Sequence, residues 1–378
     1  MRIAHICLSN FYVDGVGYQE NELIKQHVKN GHNVIVIAST ETHSKEGKLI
    51  YVKPSEYSGH EGGRIVRIPY KSFLPEKIMR KLRIYRGLKK NLSQFSPDVI
   101  LFHGTCAWEL RTAFKYALSN PHVRFFIDSH EDKYNSARSF LSREILHKRF
   151  YGPILRSVMK RTDKVLCYSL ESIDFVEKMY KISKEKIELF PLGGVPPDDR
   201  EYIYRRESAR KEFGLVENDI LVLQSGKQTR DKKILDSLLA FNNIKLPNIY
   251  FYIVGVIDQD ISSQVEHLIE KNDRVKYLGW KKFDELTNVL CAADIYLQPG
   301  TQSVTMQHSL CCRCAVILDD VPSHRMYVEK NGWLIGRDGT LEDIFSNMPF
   351  VNLDQLKSNS YLFAKMNLDY EKLAKRIL

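Results

Sequence analysis

Short unbroken apolar runs recur along this chain, each followed by a polar or glycine-containing stretch and then by apolar residues at helical spacing. Such runs read as strands buried on both faces of a parallel sheet, and the spacing after them as helices crossing over those faces. Residues 2–9 open as a strand, 10–17 are a loop, and 18–30 are a helix with Leu23, Ile24 and Val28 turned inward. Gly31 ends that helix and residues 33–39 (NVIVIAS) form the second strand, which completes a βαβ unit. Residues 40–68 are rich in Gly and charge and read as a loop, with one short strand at 64–68. Further strands are predicted at 98–102, 124–127 and 164–169, and helices over 139–161 and 172–180.

Residues 191–197 (PLGGVPP) are the densest cluster of breakers and mark the domain boundary. The second half restarts the same way, with strands at 220–224, 249–254, 275–278, 295–297 and 315–318. Helices are predicted at 232–242, 262–271 and 283–292, and a brief one beyond Ser303. Two such halves in succession predict two doubly wound α/β domains, 1–192 and 193–352.

Charge changes this picture in one respect. The chain carries a formal +10, but residues 1–192 hold 32 Lys and Arg against 20 Asp and Glu, and the remainder 24 against 26. The surplus is confined to the first half, which is therefore the half expected to meet an anionic surface. It peaks at Lys71, Lys77, Arg80, Lys81, Arg83, Arg86, Lys89 and Lys90, interleaved with Ile78, Met79, Leu82, Tyr85, Leu88 and Leu92 at helical spacing. Such a helix suits the surface of an anionic membrane. A nucleic-acid partner is not expected, because no aromatic platform or recognition motif accompanies the charge. No run approaches a membrane span, so a cytoplasmic protein, peripheral on the inner membrane face, is expected. Seven cysteines, an odd number with three of them crowded into CCRC at 311–314, argue against both a disulfide framework and a zinc ribbon.

Candidate chemistry gathers at the carboxyl ends of the strands, the edge where open α/β sheets bind ligands. Gly15 and Gly17 lie between the first strand and its helix, where bare backbone lets an anion approach. His103 and His130 are delivered by two later strands. In the second half Gly226, Lys227 and Lys232 follow the first strand, placed to neutralise a diphosphate, and Gly255 ends the next strand. Ser303, Val304 and Thr305 begin a helix whose N-terminus is suited to phosphate. The segment 226–229 is not a P-loop, since Leu221 and Gln228 stand where Gly and Ser or Thr are needed. Asp258 and Asp260 spell DxD, a spacing common by chance.

Together these residues resemble the family 4 glycosyltransferases, retaining enzymes of the GT-B fold, over nearly the whole chain. Asp14-Gly15 is similar to the family's first-loop Gly-Gly, and His130 in IDSHED to its sugar-contacting histidine. The linker 191–195 resembles PNGVD, residues 226–233 resemble GRLxxxKG with Lys227 and Lys232 at its cationic positions, and 331–335 (NGWLI) resemble a motif following the donor site. The departure is in the EX7E region, where Gln307 stands in place of the second glutamate and no residue clearly matches the first, Gln302 or Ser303 lying nearest. The resemblance implies a GT-B fold of two Rossmann-like domains, with residues 353–378 crossing back toward the first. It implies transfer of a sugar from a nucleotide-diphosphate donor, UDP being typical, to a glycan or lipid-linked acceptor in surface polysaccharide or lipopolysaccharide assembly. Retention of configuration is expected, with no metal or other cofactor. His130, Lys227 and Lys232 take the catalytic roles; Gly15, Gly17, His103, Gly226, Gly255, Ser303, Val304, Thr305 and Gln307 bind substrate. The altered glutamate region keeps two rivals open, a non-catalytic GT-B subunit that binds a glycan or partner enzyme and a sugar-nucleotide 2-epimerase.

Overall fold

A computed structural model describes residues 1–44, 48–133, 135–301 and 303–378. The chain divides into two compact units, residues 1–191 with 370–378 and residues 192–369. Gln302 lies outside the described residues.

The first unit holds strands β1 (Arg2–Cys7), β2 (Asn33–Ser39), β3 (Glu41–His43), β4 (Leu49–Tyr51), β5 (Ser55–Ser58), β6 (Arg64–Ile68), β7 (Val99–Phe102), β8 (Arg124–Ser129), β9 (Lys164–Cys167) and β10 (Ile187–Leu189). Its main sheet runs β10-β9-β8-β7-β1-β2-β6-β5 and is parallel except for the edge strand β5. The order reverses between β1 and β7, which opens a crevice at their carboxyl ends. The expected loop over 40–68 therefore contains more than its final strand. The β3–β4 hairpin stands apart, and β5 closes the sheet edge antiparallel to β6.

The basic segment is also not one helix. It forms a helix at Glu76–Leu82, leaves it at Arg83 and Gly87, which both have positive φ, and starts again at Leu88–Phe95. The helical spacing across the break is fortuitous. Tyr85 is buried because it bridges Tyr70 and hydrogen-bonds to its hydroxyl, not because it continues a helical stripe.

The second unit holds β11 (Ile220–Ser225), β12 (Ile249–Val254), β13 (Val275–Tyr277), β14 (Ile295–Gln298), β15 (Ala315–Asp319) and β16 (Gly332–Ile335). They form one sheet in the order β13-β12-β11-β14-β15-β16, parallel throughout. Alternate residues of each strand feed two cores: Leu221, Leu223, Tyr252 and Tyr296 point to one face, Val222, Phe251, Ile253 and Ile295 to the other. The order reverses between β11 and β14, so the loops after those strands flank the second crevice.

A helix at Asp199–Phe213 has no counterpart in the sequence reading. It is charged throughout, and it is held by Arg206 and Arg210, which converge with Lys357 on the buried Asp294. The terminal segment forms two helices, not one. Leu353–Asn367 belongs to the second unit, with Phe363 and Ala364 in its core, and Tyr370–Lys375 belongs to the first. No helix among the described residues is long and apolar enough to cross a membrane.

Candidate active site

In the first unit, the loop after β1 turns at Gly15, whose φ is +76°. Its N–H donates to Glu61 Oε1 at 3.2 Å, and the same carboxylate accepts from Asn21 Nδ2 and the Tyr12 hydroxyl. Burial raises the Glu61 carboxyl above its ordinary pKa. The Gly15 amide thus meets a carboxyl group supplied by the chain itself. Gly17 has no positive φ, and a Cβ there would meet nothing within 4 Å, so the loop imposes no glycine at that position.

The two histidines part company. His130 is exposed beyond the end of β8, with its ring edge-on to Tyr168 at a centroid distance of 3.7 Å. Tyr168 in turn donates its hydroxyl to Asp128 at 2.7 Å. His103 is fully buried. Its Nδ1 lies 2.5 Å from Asp128 Oδ2, and its Nε2 lies 2.9 Å from His5, which reaches His27, which reaches the Ala374 carbonyl. Burial pulls the His103 pKa down, but the Asp128 carboxylate outweighs it and holds the imidazolium above its ordinary value. Burial also penalises charge on Asp128, and His103 overcomes this to keep the carboxyl below its usual range. The pair is a buried ionic anchor beneath the site, and Asp128 with Tyr168 positions His130.

In the second unit, Gly226 has φ +115° and open space around it, whereas Gly255 is constrained: a Cβ there would stand 1.9 Å from the Gly226 carbonyl oxygen. Gly255 therefore shapes the Gly226 loop. Lys227 is 66% exposed and pairs with Asp258 at 2.7 Å; Arg230 pairs with Asp260 at 3.0 Å. Both DxD carboxylates are thus held by cations of the neighbouring loop. Among the described residues no group of three or more His, Cys, Asp or Glu could hold a metal ion.

Lys232 sits between the loops after β11 and β14, with its ammonium donating to the Thr301 carbonyl. Burial lowers its pKa to about 8. The two loops touch closely, since a Cβ at Gly300 would stand 2.0 Å from the Asp231 carbonyl oxygen. Buried glutamines that the sequence reading did not select complete the scaffold. Gln224 donates to the Lys232 carbonyl at 2.9 Å, and Gln298 accepts from the Ser303 hydroxyl at 2.8 Å. Ser303 occupies the N-cap of the helix Val304–Cys311, but its side chain serves Gln298 and does not cap. Val304 is exposed and Thr305 half-buried at that N-terminus. Gln307 is 1% exposed and its Nε2 donates to the Tyr327 hydroxyl at 3.2 Å. Its helical position turns it toward Tyr327.

Residues 13–194 match the family described as Glycosyltransferase Family 4, and residues 205–346 match Glycosyl transferases group 1. No curated protein matches the sequence. Among solved structures, sucrose-phosphate synthase from Thermosynechococcus elongatus is similar at 16% identity and a TM-score of 0.66, over 100% of this chain and 97% of that one. Anabaena HepE in complex with UDP is similar at 14% identity and a TM-score of 0.64, over 100% and 98%. WaaG, a glycosyltransferase involved in lipopolysaccharide biosynthesis, is similar at 19% identity and a TM-score of 0.60, over 99% of both chains. At these identities the structures speak for the fold, and the two family matches, which together span most of the chain, speak for the activity. With a family 4 domain at residues 13–194 and a group 1 domain at residues 205–346, the chain is a glycosyltransferase of the GT-B fold.

Proposed function

We propose that this glycosyltransferase takes a sugar from a nucleotide-diphosphate donor, of the UDP type, bound by the second unit. The acceptor is a glycan or lipid-linked glycan bound by the first, and the product enters surface polysaccharide or lipopolysaccharide assembly. The observation that carries the donor assignment is Lys232, a partly desolvated ammonium wedged between the two loops of the β11–β14 crevice. A diphosphate arriving there offsets the desolvation that lowers the lysine's pKa, so the interaction strengthens as negative charge builds on the leaving group. The N-terminal end of the helix Val304–Cys311 supplies a dipole of the same sign. Solved neighbours hold UDP or UDP-glucose, which favours uridine donors. Transfer without a metal is supported by the ion pairs that occupy Asp258 and Asp260. Retention of configuration follows from the family resemblance.

Peripheral membrane attachment is part of the same reading. Phe73, Leu74 and Ile78 are exposed beside Lys71, Lys77 and Lys81, an apolar and basic surface of the kind that settles on anionic lipid.

The test is a thermal-shift panel of UDP, GDP, ADP and dTDP with their sugar conjugates. The matching nucleotide at 100 times its dissociation constant stabilises by about 2.7 kcal/mol. Lys232→Ala is expected to abolish that shift and to lower transfer by roughly 100-fold or more. Lys227→Ala costs less, because Lys227 is exposed and already paired. A Lys232→Ala enzyme with undiminished turnover would overturn the donor site.

A further inference from the structure

We propose that the acceptor carries an oxyanion, a phosphate or a carboxylate on a sugar, and that Arg83 in the first unit binds it. The inference rests on the transferase reading and deepens it on the acceptor side. A cavity of about 450 Å³ opens in this unit, lined by Ser9, Phe11, Glu41, Arg80, Arg83 and Glu131 among others. Its size suits a sugar-sized ligand. Ser9 follows β1 and Glu131 follows His130 in sequence, so the cavity adjoins the edge of the sheet where the candidate chemistry lies.

Three observations single out Arg83. Its backbone is left-handed, φ 50° and ψ 58°, at the end of the helix Glu76–Leu82. That is a position where Gly or Asn relieves strain and an arginine must bear it. Its guanidinium makes no hydrogen bond or ion pair to any described residue, and Nη1 is enclosed without a partner. A guanidinium cannot shed its charge, so burial without a counter-charge is unfavourable in the free protein. Its Cζ lies 5.4 Å from the ring centroid of Phe11, which aims the group along the cavity wall.

The other charged groups differ. Arg80, whose Nε is likewise enclosed without a partner, has its charge paired with Glu76 at 2.5 Å. Glu131 accepts from Thr105 and Ser129, and Glu41 accepts from the Tyr70 hydroxyl at 2.7 Å. Both carboxylates are therefore satisfied by neutral donors, with acceptor capacity left for sugar hydroxyls. Lys81, exposed at the rim, adds a second cation that has no carboxylate partner among the described residues. The arrangement matches a ligand with hydroxyls along one side and an oxyanion at one end, the latter meeting the planar fork of Arg83.

The experiment titrates the full chain, saturated with UDP to fill the donor phosphate site, with glucose 6-phosphate, glucuronate and glucose up to about 10 mM, a range that reaches millimolar dissociation constants. At least one charged sugar is expected to bind about tenfold or more tightly than glucose. Comparing phosphate with carboxylate tells which oxyanion is preferred. Arg83→Met is expected to remove that preference while leaving UDP affinity unchanged. Equal binding of charged and neutral sugars, no binding of either charged sugar, or a preference that survives in Arg83→Met overturns the proposal. The charged-against-neutral comparison needs only the unaltered chain, so a variant that fails to fold does not protect the idea. Failure of UDP to bind instead overturns the donor reading, and the same titration without nucleotide still decides this one.

Discussion

The buried histidines set the acid sensitivity of the first unit. Burial holds His27 at a pKa of about 4, with His32 lowering it further and the Ala374 carbonyl opposing, and it holds His5 well below its ordinary value. In the unfolded chain both titrate near 6.5. Between those values the unfolded state binds more protons, so stability is retained above pH 6.5 and drains as pH falls toward 4. For His27 alone the loss is on the order of 3 kcal/mol. His27→Gln is expected to flatten the dependence of the melting temperature on pH across that window, although the variant starts lower at pH 8 through the disturbed hydrogen bonds. An unchanged slope would show that His27 is not the group that titrates. None of this was legible in the sequence, where His5, His27 and His103 belong to β1, the helix Gln19–Lys29 and the loop after β7 and only His103 stands at a strand end. His130 was legible, because a strand end is a local feature; the Tyr168 ring that fixes its orientation comes from another strand.

At the scale of elements, the crevice of the second unit depends on two backbone approaches that admit no side chain. Gly255 against Gly226 is one and Gly300 against Asp231 is the other. Gly255→Ala combines a φ of +122° with a Cβ 1.9 Å from a carbonyl oxygen. It is expected to cost about 3 kcal/mol or more and to abolish the thermal shift produced by UDP. Calorimetry of the variant with and without nucleotide checks both. The sequence marked Gly255 as the end of a strand, but the reason for a glycine emerges only when β11 and β12 lie side by side. The segment 71–90 teaches the converse. Apolar spacing suggested a single helix, yet Pro75, the left-handed Arg83 and Gly87 divide it, and the division is what presents Arg83 to the cavity.

Taken whole, the chain leaves its first unit at Pro191 and returns to it at Tyr370. The returning segment buries Leu373, Ala374 and Ile377, caps His27 through the Ala374 carbonyl, and places Arg376 on Glu188 and the Leu189 carbonyl. Fully burying two aliphatic side chains of this size contributes about 3 to 6 kcal/mol. Ending the chain at Asp369 is therefore expected to shift the unfolding of the first unit to markedly lower urea while nucleotide binding by the second persists. Coincident unfolding of full-length and shortened chains would mean that the segment is not part of the first unit's fold.

Local pattern carried the strands, most helices, the break at 191–197 and the cationic loop with Lys227 and Lys232, because burial on both faces of a parallel strand and the chemistry of turns are written in neighbouring residues. It missed the helix Asp199–Phe213, whose sparse apolar residues Tyr202, Ala209 and Phe213 are interrupted by arginines that find Asp294 only in the folded unit. Nor did it show the burial of His103 and Gln307, whose residue types and positions suited a binding site. Whether such a polar group faces substrate or core depends on what packs over it, and that is settled by contacts distant in the chain: Asp128 and His5 for the one, Tyr327 for the other.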